Sequence, residues 1–132
     1  MSPLSQSPLL LWAAYAFGGI LTGFGVNAAV RPAHALSFFG LAQPPQTSAD
    51  RRAFDALVAV YGARDVFMGA AVFAAARNGH ASTLGCLLLG IGAVAGIDGL
   101  VCRVHGTGEE WGHWGYAPMV AATGALMLGV LD

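Results

Sequence analysis

Two short stretches carry ionisable residues through otherwise apolar sequence: "VYGARDVFMG" holds Arg64 and Asp65, and "AGIDGLVC" holds Asp98. An Arg or Asp at the centre of a membrane helix costs roughly +2.5 to +3.5 kcal/mol on insertion scales, so such residues are read first as a functional site. Fully ionised, the three carry one net negative charge, which a low-dielectric cavity relieves when one acid takes a proton. A carboxylate beside a protonated carboxyl divides base and acid roles between two similar groups, and an arginine between them would orient both. The reaction that suits this set is opening of a strained ether such as an epoxide. The acid protonates the departing oxygen while the base activates water or an internal hydroxyl. Asp98, nearer its helix end, is expected to activate water, and the deeper Asp65 to donate the proton. The alternative that does no chemistry is an ion-pair network that fixes helix register.

Other residues are expected to hold the substrate. Tyr61 lies one turn before Arg64 and shares a broad helix face with it; its hydroxyl is a donor, although a packing role is equally in keeping with its type. Asn27, His113 and Asp55 fall in the same half of the bilayer as the three charges, so all are expected around one cavity. Substrate-binding positions are therefore Tyr61, Asn27, His113, Trp111 and Met68, with Trp111, Trp114 and Tyr116 joining His113 at the cavity mouth. His34, His80 and His105 read as solvated loop residues. No spacing matches a zinc signature or a buried bis-histidine haem site, so neither metal nor cofactor is implied. Cys86 and Cys102, sixteen residues apart, are about 24 Å apart along one helix, too far to bridge.

The elements that must position these residues are helices. The chain has 132 residues, 56% hydrophobic and 10% charged, against roughly 25% charged in soluble domains. Six arginines, no lysine and seven acids give a net charge of -1, which leaves no basic footprint for nucleic acid. The opening "MSPLSQSP" lacks the basic start of a signal peptide. Four apolar segments, at about 9–30, 54–76, 83–102 and 114–131, approach the roughly 20 residues needed to cross a bilayer. They predict one all-α domain, an integral membrane four-helix bundle running up-down-up-down, because lipid demands internally satisfied backbones. Its first loop contains Pro32, Pro44 and Pro45. Arg31, Arg51, Arg52 and Arg103 flank the first and third loops while Arg77 alone marks the second, which places both termini on the lumenal or outer face. Trp12, Trp111 and Trp114 near segment ends fit an aromatic belt. Glycines at Gly19 and Gly23, Gly62 and Gly69, and Gly92, Gly96 and Gly99 predict close helix approach.

With four spans, "GARD" in the second helix (Gly62 to Asp65) and "DG" at Asp98 and Gly99, the chain resembles a domain-of-unknown-function family of small integral membrane proteins from fungi and bacteria, within the DoxX-like group. The resemblance covers most of the chain. Its fungal members resemble proteins found beside polyketide and terpenoid pathways, where small membrane proteins act as epoxide hydrolases or cyclases, and the implied functional positions are Arg64, Asp65 and Asp98. The chemistry also resembles that of limonene-type epoxide hydrolases, soluble enzymes with an Asp, Arg, Asp centre on an unrelated fold. Similarity to trimeric membrane glutathione transferases is confined to size and span number. Their arginine-rich glutathione site has no counterpart here.

These readings lead to a membrane-embedded acid/base enzyme that opens a lipophilic epoxide, by hydrolysis or cyclisation. Its partners would be that small molecule and membrane lipid, with no nucleic acid and with room for a homo-oligomer; in a eukaryote it would reside in the endoplasmic reticulum. A non-catalytic membrane subunit and a proton-coupled transporter are the alternatives. Four spans without broken helices in paired halves weigh against the transporter.

Overall fold

Local capping sets where the helices begin. The computed structural model describes residues 3–132 apart from 42 and 44; Met1, Ser2 and Pro44, which entered the readings above, lie outside it. A 3-10 turn at Leu4–Gln6 precedes α1 (Pro8–Val30), and α2 (Pro32–Ser37), α3 (Ser48–Arg77), α4 (Ala81–Val104) and α5 (Glu110–Met127) follow. Ser7 caps α1 by accepting from the Leu9 N–H at 3.3 Å, with Pro8 at the first helical position, where its missing N–H costs nothing. Thr47 caps α3 by accepting from the Asp50 N–H at 3.2 Å. Between α3 and α4 the chain reverses through Gly79 at φ +74°, a left-handed conformation that glycine adopts without steric cost.

The all-helical expectation holds among the described residues, but there are five α-helices where four were expected. The additional one, α2, lies in the first loop; its six residues are too few to show an amphipathic period. The second long helix starts at Ser48, six residues ahead of the expected 54, because the capped segment from Ser48 is polar and helical. The last helix runs from 110 to 127 where 114 to 131 was expected; it contains Pro118, and its end gives way to a turn through Gly129 at φ +80°. Among the described residues α1, α3 and α4 are long and apolar enough to cross a membrane; α5, at 18 residues, is not among them. Much of the outer surface is apolar, with Leu9, Trp12, Leu57, Phe67 and Leu131 all exposed.

The long helices associate as two tight antiparallel pairs, α1 with α3 and α4 with α5. Buried positions on α3 recur at 58, 62, 65, 69, 72 and 76, the alternating four-and-three spacing of a helix that keeps one seam against its neighbour. Glycine makes that seam close. A Cβ at Gly25 would stand 2.6 Å from the Gly62 carbonyl oxygen, and one at Gly69 would stand 2.7 Å from the Gly18 carbonyl oxygen. In the second pair, a Cβ at Gly85 would meet the Gly124 carbonyl oxygen at 2.8 Å, and one at Gly92 the Ala117 carbonyl oxygen at 3.0 Å. Of the glycines expected at interfaces, Gly62, Gly69, Gly92 and Gly99 are there, whereas Gly19, Gly23 and Gly96 have nothing within 4 Å of a built Cβ. Those three point away from the helix seams. Gly18, Gly25, Gly85 and Gly124 take the contacts instead, because helix phase selects the face and small-residue spacing alone does not.

Candidate functional site

The seam of the first pair explains how Asp65 comes to be buried. Gly62 and Gly69 stand three residues before it and four after, on the same face of α3, and their close approach to α1 shuts water out along that stripe. Asp65 is 4% exposed, and it is the buried charged residue among those described. Arg64, its neighbour in sequence, reaches toward the second helix pair. Its Nε donates to Asp65 Oδ1 at 3.1 Å, while Nη1 and Nη2 donate to Asp98 Oδ1 and Oδ2 at 3.0 and 2.8 Å. The contact to Asp98 is the two-pronged guanidinium-carboxylate geometry that fixes orientation as well as charge. One guanidinium thus holds two carboxylates from two helices. Arg64 lies under the Tyr61 ring as well, 5.2 Å from its centroid, a distance at which the ring face attracts a cation.

These groups form one wall of a cavity of about 290 Å³ between the two helix pairs, close to the roughly 300 Å³ lower bound of small-molecule sites. Apolar side chains make most of the remainder: Leu21 and Phe24 from α1, Met68 from α3, and Ile91 and Val94 from α4. A cap closes the end toward the first and third loops. There His113 Nε2 meets the Phe38 carbonyl oxygen at 3.1 Å, and the Phe39 ring packs tilted against His113 at 4.7 Å and edge-on to Tyr61 at 5.3 Å. The cap is pinned from below by Gly40, at φ +68°, where a Cβ would come within 2.7 Å of Thr107 Cβ.

Of the eight residues expected at the site, Tyr61, Arg64, Asp65, Met68, Asp98 and His113 line this cavity and Asn27 and Trp111 do not. Asn27 turns toward α2, with Oδ1 3.2 Å from His34 Nδ1 and Nδ2 buried without a hydrogen-bond partner; the unforeseen α2 folds back over it. Trp111 is 71% exposed and packs edge-on to Trp114 at 5.5 Å, because it lies about 200° around α5 from His113 at 3.6 residues per turn. Asp55, expected in the same cavity, lies nine residues before Arg64 and so about 180° around α3. It pairs with Arg51 at 3.6 Å beside a shallow outer groove. Trp114 is not at the mouth: its indole N–H donates to the Gly96 carbonyl at 3.1 Å in the α4/α5 seam.

Sequence reasoning missed Glu109, Phe38 and Phe39, all of which line the cavity. Glu109 had a signal, since it precedes His113 by four residues; the two phenylalanines follow α2 and had none. Tyr116, expected at the mouth, is also in the wall, three residues after His113. Its hydroxyl oxygen is buried with no hydrogen-bond partner. No group of three or more His, Cys, Asp or Glu residues is arranged to hold a metal ion among the described residues. Cys86 and Cys102 are both free thiols.

Residues 18–127 match the model of a family described as a domain of unknown function, DUF4267. The chain belongs to that family. The match contains the cavity-lining residues, from Ile20 on α1 to Tyr116 on α5. No curated protein and no solved structure matches the chain. Membership in DUF4267 leaves the chemistry to be argued from the site.

Proposed function

We propose that this protein is a membrane-embedded acid/base enzyme that opens a lipophilic epoxide. The observation that carries the reading is the Arg64 fork, which holds Asp65 and Asp98 together on the wall of a cavity that is otherwise largely apolar. A structural ion pair needs neither a second carboxylate nor a cavity beside it.

The roles follow from the hydrogen bonding. Asp98, gripped at both oxygens by the guanidinium, is the carboxylate base; each oxygen retains a lone pair for a proton. Asp65 receives a single bond from Arg64, at Oδ1, and Oδ2 carries the transferable proton. In hydrolysis the carbon–oxygen bond of the epoxide breaks as Asp65 gives its proton to the departing oxygen. Water forms the new carbon–oxygen bond and passes a proton to Asp98. A proton relayed through solvent from Asp98 to Asp65 restores both groups, and epoxide plus water has become a vicinal diol. Where a hydroxyl of the substrate replaces water, the same transfers give a cyclic ether. Tyr61, Met68 and His113 shape the pocket around the reacting atoms.

In this reading the four long helices cross the bilayer up-down-up-down, with α5 completing the span, and the arginines near the first and third loops face the cytoplasm. Lipophilic substrate then enters from the bilayer between the two pairs. The fungal epoxide hydrolase and cyclase resemblance supports the same chemistry. The test is turnover of a panel of lipophilic epoxides by purified protein in water enriched in oxygen-18. Diol carrying one heavy oxygen supports hydrolysis, a cyclic ether without it supports cyclisation, and no turnover across the panel refutes the reading.

A further inference from the structure

The cavity wall carries more acid than base. Asp65, Asp98 and Glu109 face the single guanidinium of Arg64 there, and a charged His113 would still leave the balance negative. Arg64 is fully committed, with Nε on Asp65 Oδ1 and Nη1 and Nη2 on the two oxygens of Asp98. Glu109, exposed and one turn ahead of His113 on α5, has no ion pair among the described residues. Asp65 keeps one oxygen in reserve. Its side chain is 6% exposed, and Oδ2 accepts no hydrogen bond among the described residues. The fully enclosed side-chain atoms without a partner among those residues are Asn27 Nδ2, Glu110 Oε2 and the Tyr116 hydroxyl. Oδ2 is not one of them, so Asp65 presents a reachable acceptor to the cavity it lines. Of the other polar groups in the wall, the Tyr61 hydroxyl gives and accepts alike, and His113 Nε2 is at the Phe38 carbonyl.

We infer that the cavity binds lipophilic amines, held as ammonium ions at Asp65 Oδ2, with the Glu109 carboxylate drawing the cation in. A cleft lined by one sign of charge concentrates the opposite ion. An ammonium group has donors and no acceptor, the complement of a wall whose open carboxylate oxygens are acceptors. Leu21, Met68, Ile91 and Val94 take the hydrocarbon body. The same count of charge turns an anion away and gives a neutral lipophile no advantage. An amine that arrives through lipid as the free base takes the proton carried by Asp65: its nitrogen gains an N–H bond, and the carboxyl becomes the carboxylate that holds it. The inference goes beyond the epoxide reading and does not rest on it, because it uses the charge and shape of the cavity and no bond-breaking step.

Two unreactive ligands of one shape test it. 1-Adamantylamine and 1-adamantanol share a rigid cage and differ in one group, which is an ammonium in the amine at neutral pH and a hydroxyl in the alcohol. Calorimetric titration of wild type and Asp65→Asn in the same detergent gives a ratio of affinities for each ligand, in which partition into micelles cancels. A hydrogen bond to a charged group is worth about tenfold or more in affinity. The expected result is that Asp65→Asn weakens amine binding at least about tenfold and leaves alcohol binding unchanged, which also shows that the variant's cavity is formed. Wild type that does not bind the amine overturns the inference, as do equal amine affinities in the two proteins. Where Asp65→Asn loses both ligands, Glu109→Gln, at an exposed position, decides: weaker amine binding with alcohol binding kept supports the inference, and unchanged amine binding overturns it. Epoxide turnover is scored separately: amine selectivity without turnover sinks the enzymatic reading and keeps the cation site, and turnover without selectivity does the reverse.

Discussion

Replacing Gly69 by alanine tests the packing that buries Asp65. A Cβ at that position would press on the Thr22 hydroxyl, and it would lie 2.7 Å from the Gly18 carbonyl oxygen and 3.0 Å from the Thr22 nitrogen. Two of these contacts are backbone, which cannot swing aside, so α1 and α3 must separate. Overpacking of this kind costs roughly 1–3 kcal/mol. Gly23, on the partner helix, has nothing within 4 Å of a built Cβ, and alanine there should gain about 0.5–1 kcal/mol from helix propensity alone. The two variants make the same chemical change and should differ by about 1.5–4 kcal/mol. Equilibrium unfolding by dodecyl sulfate in mixed micelles, followed by circular dichroism, measures both. If the two stabilities agree to within about 0.5 kcal/mol, well below the expected gap, the α1/α3 seam is not as described. The burial of Asp65 would then need another explanation.

Other expectations follow from the same contacts. Arg64→Gln removes the cation that joins Asp65 and Asp98, leaves the Asp98 carboxylate without its partner and should destabilise toward the lower end of about 3–5 kcal/mol, since the Arg64 side chain is 35% exposed; the same unfolding assay reads it, and a neutral result would mean the trio is solvated. His113→Ala removes the contact to the Phe38 carbonyl and the ring contact with Phe39, so amide exchange over residues 36–41 should quicken while exchange in the α1/α3 seam does not. Beyond α5, the Asp132 carboxyl accepts from the Ser5 hydroxyl and from the Ser5 N–H at 2.9 Å, and these bonds hold it below its ordinary value. A carboxyl depressed on folding contributes stability above its unfolded pKa that is lost as pH falls through the folded one. Protection of the Ser5 amide should therefore fade on acidification below about pH 4, and Asp132→Asn should remove that pH dependence.

Much of the frame was legible because hydropathy is an average over a whole span. The cores of α1, α3 and α4 stood out, and the joint placement of Arg64, Asp65 and Asp98 followed from alternating helix direction. What failed depended on helix phase or on elements too short to average. Trp111 lies at the right depth on the wrong face of α5, and Asp55 lies half a turn around α3 from Arg64 and about 9 Å outside Tyr61, the outermost α3 residue of the cavity wall. Gly18 and Gly25 carry the seam where Gly19 and Gly23 were expected, and one or two residues of helix phase separate seam from outer surface. The cap had no signal, since α2 has six residues and its hold on Asn27 and the cavity mouth comes from tertiary contacts. Tyr116 was visible as a residue; its unpartnered hydroxyl is a property of the packed molecule alone.

The central claim is that Asp65 and Asp98 act as one acid/base pair, and the most direct measurement compares Asp98→Asn with wild type for turnover of a lipophilic epoxide in reconstituted vesicles. Resistance to unfolding by dodecyl sulfate, followed by circular dichroism, serves as the check that the variant is folded. Asparagine keeps the shape and cannot accept the proton from water, so turnover should fall by about 10²–10⁴-fold while the fold persists. Folded Asp98→Asn protein that turns over epoxide at the wild-type rate would contradict the account.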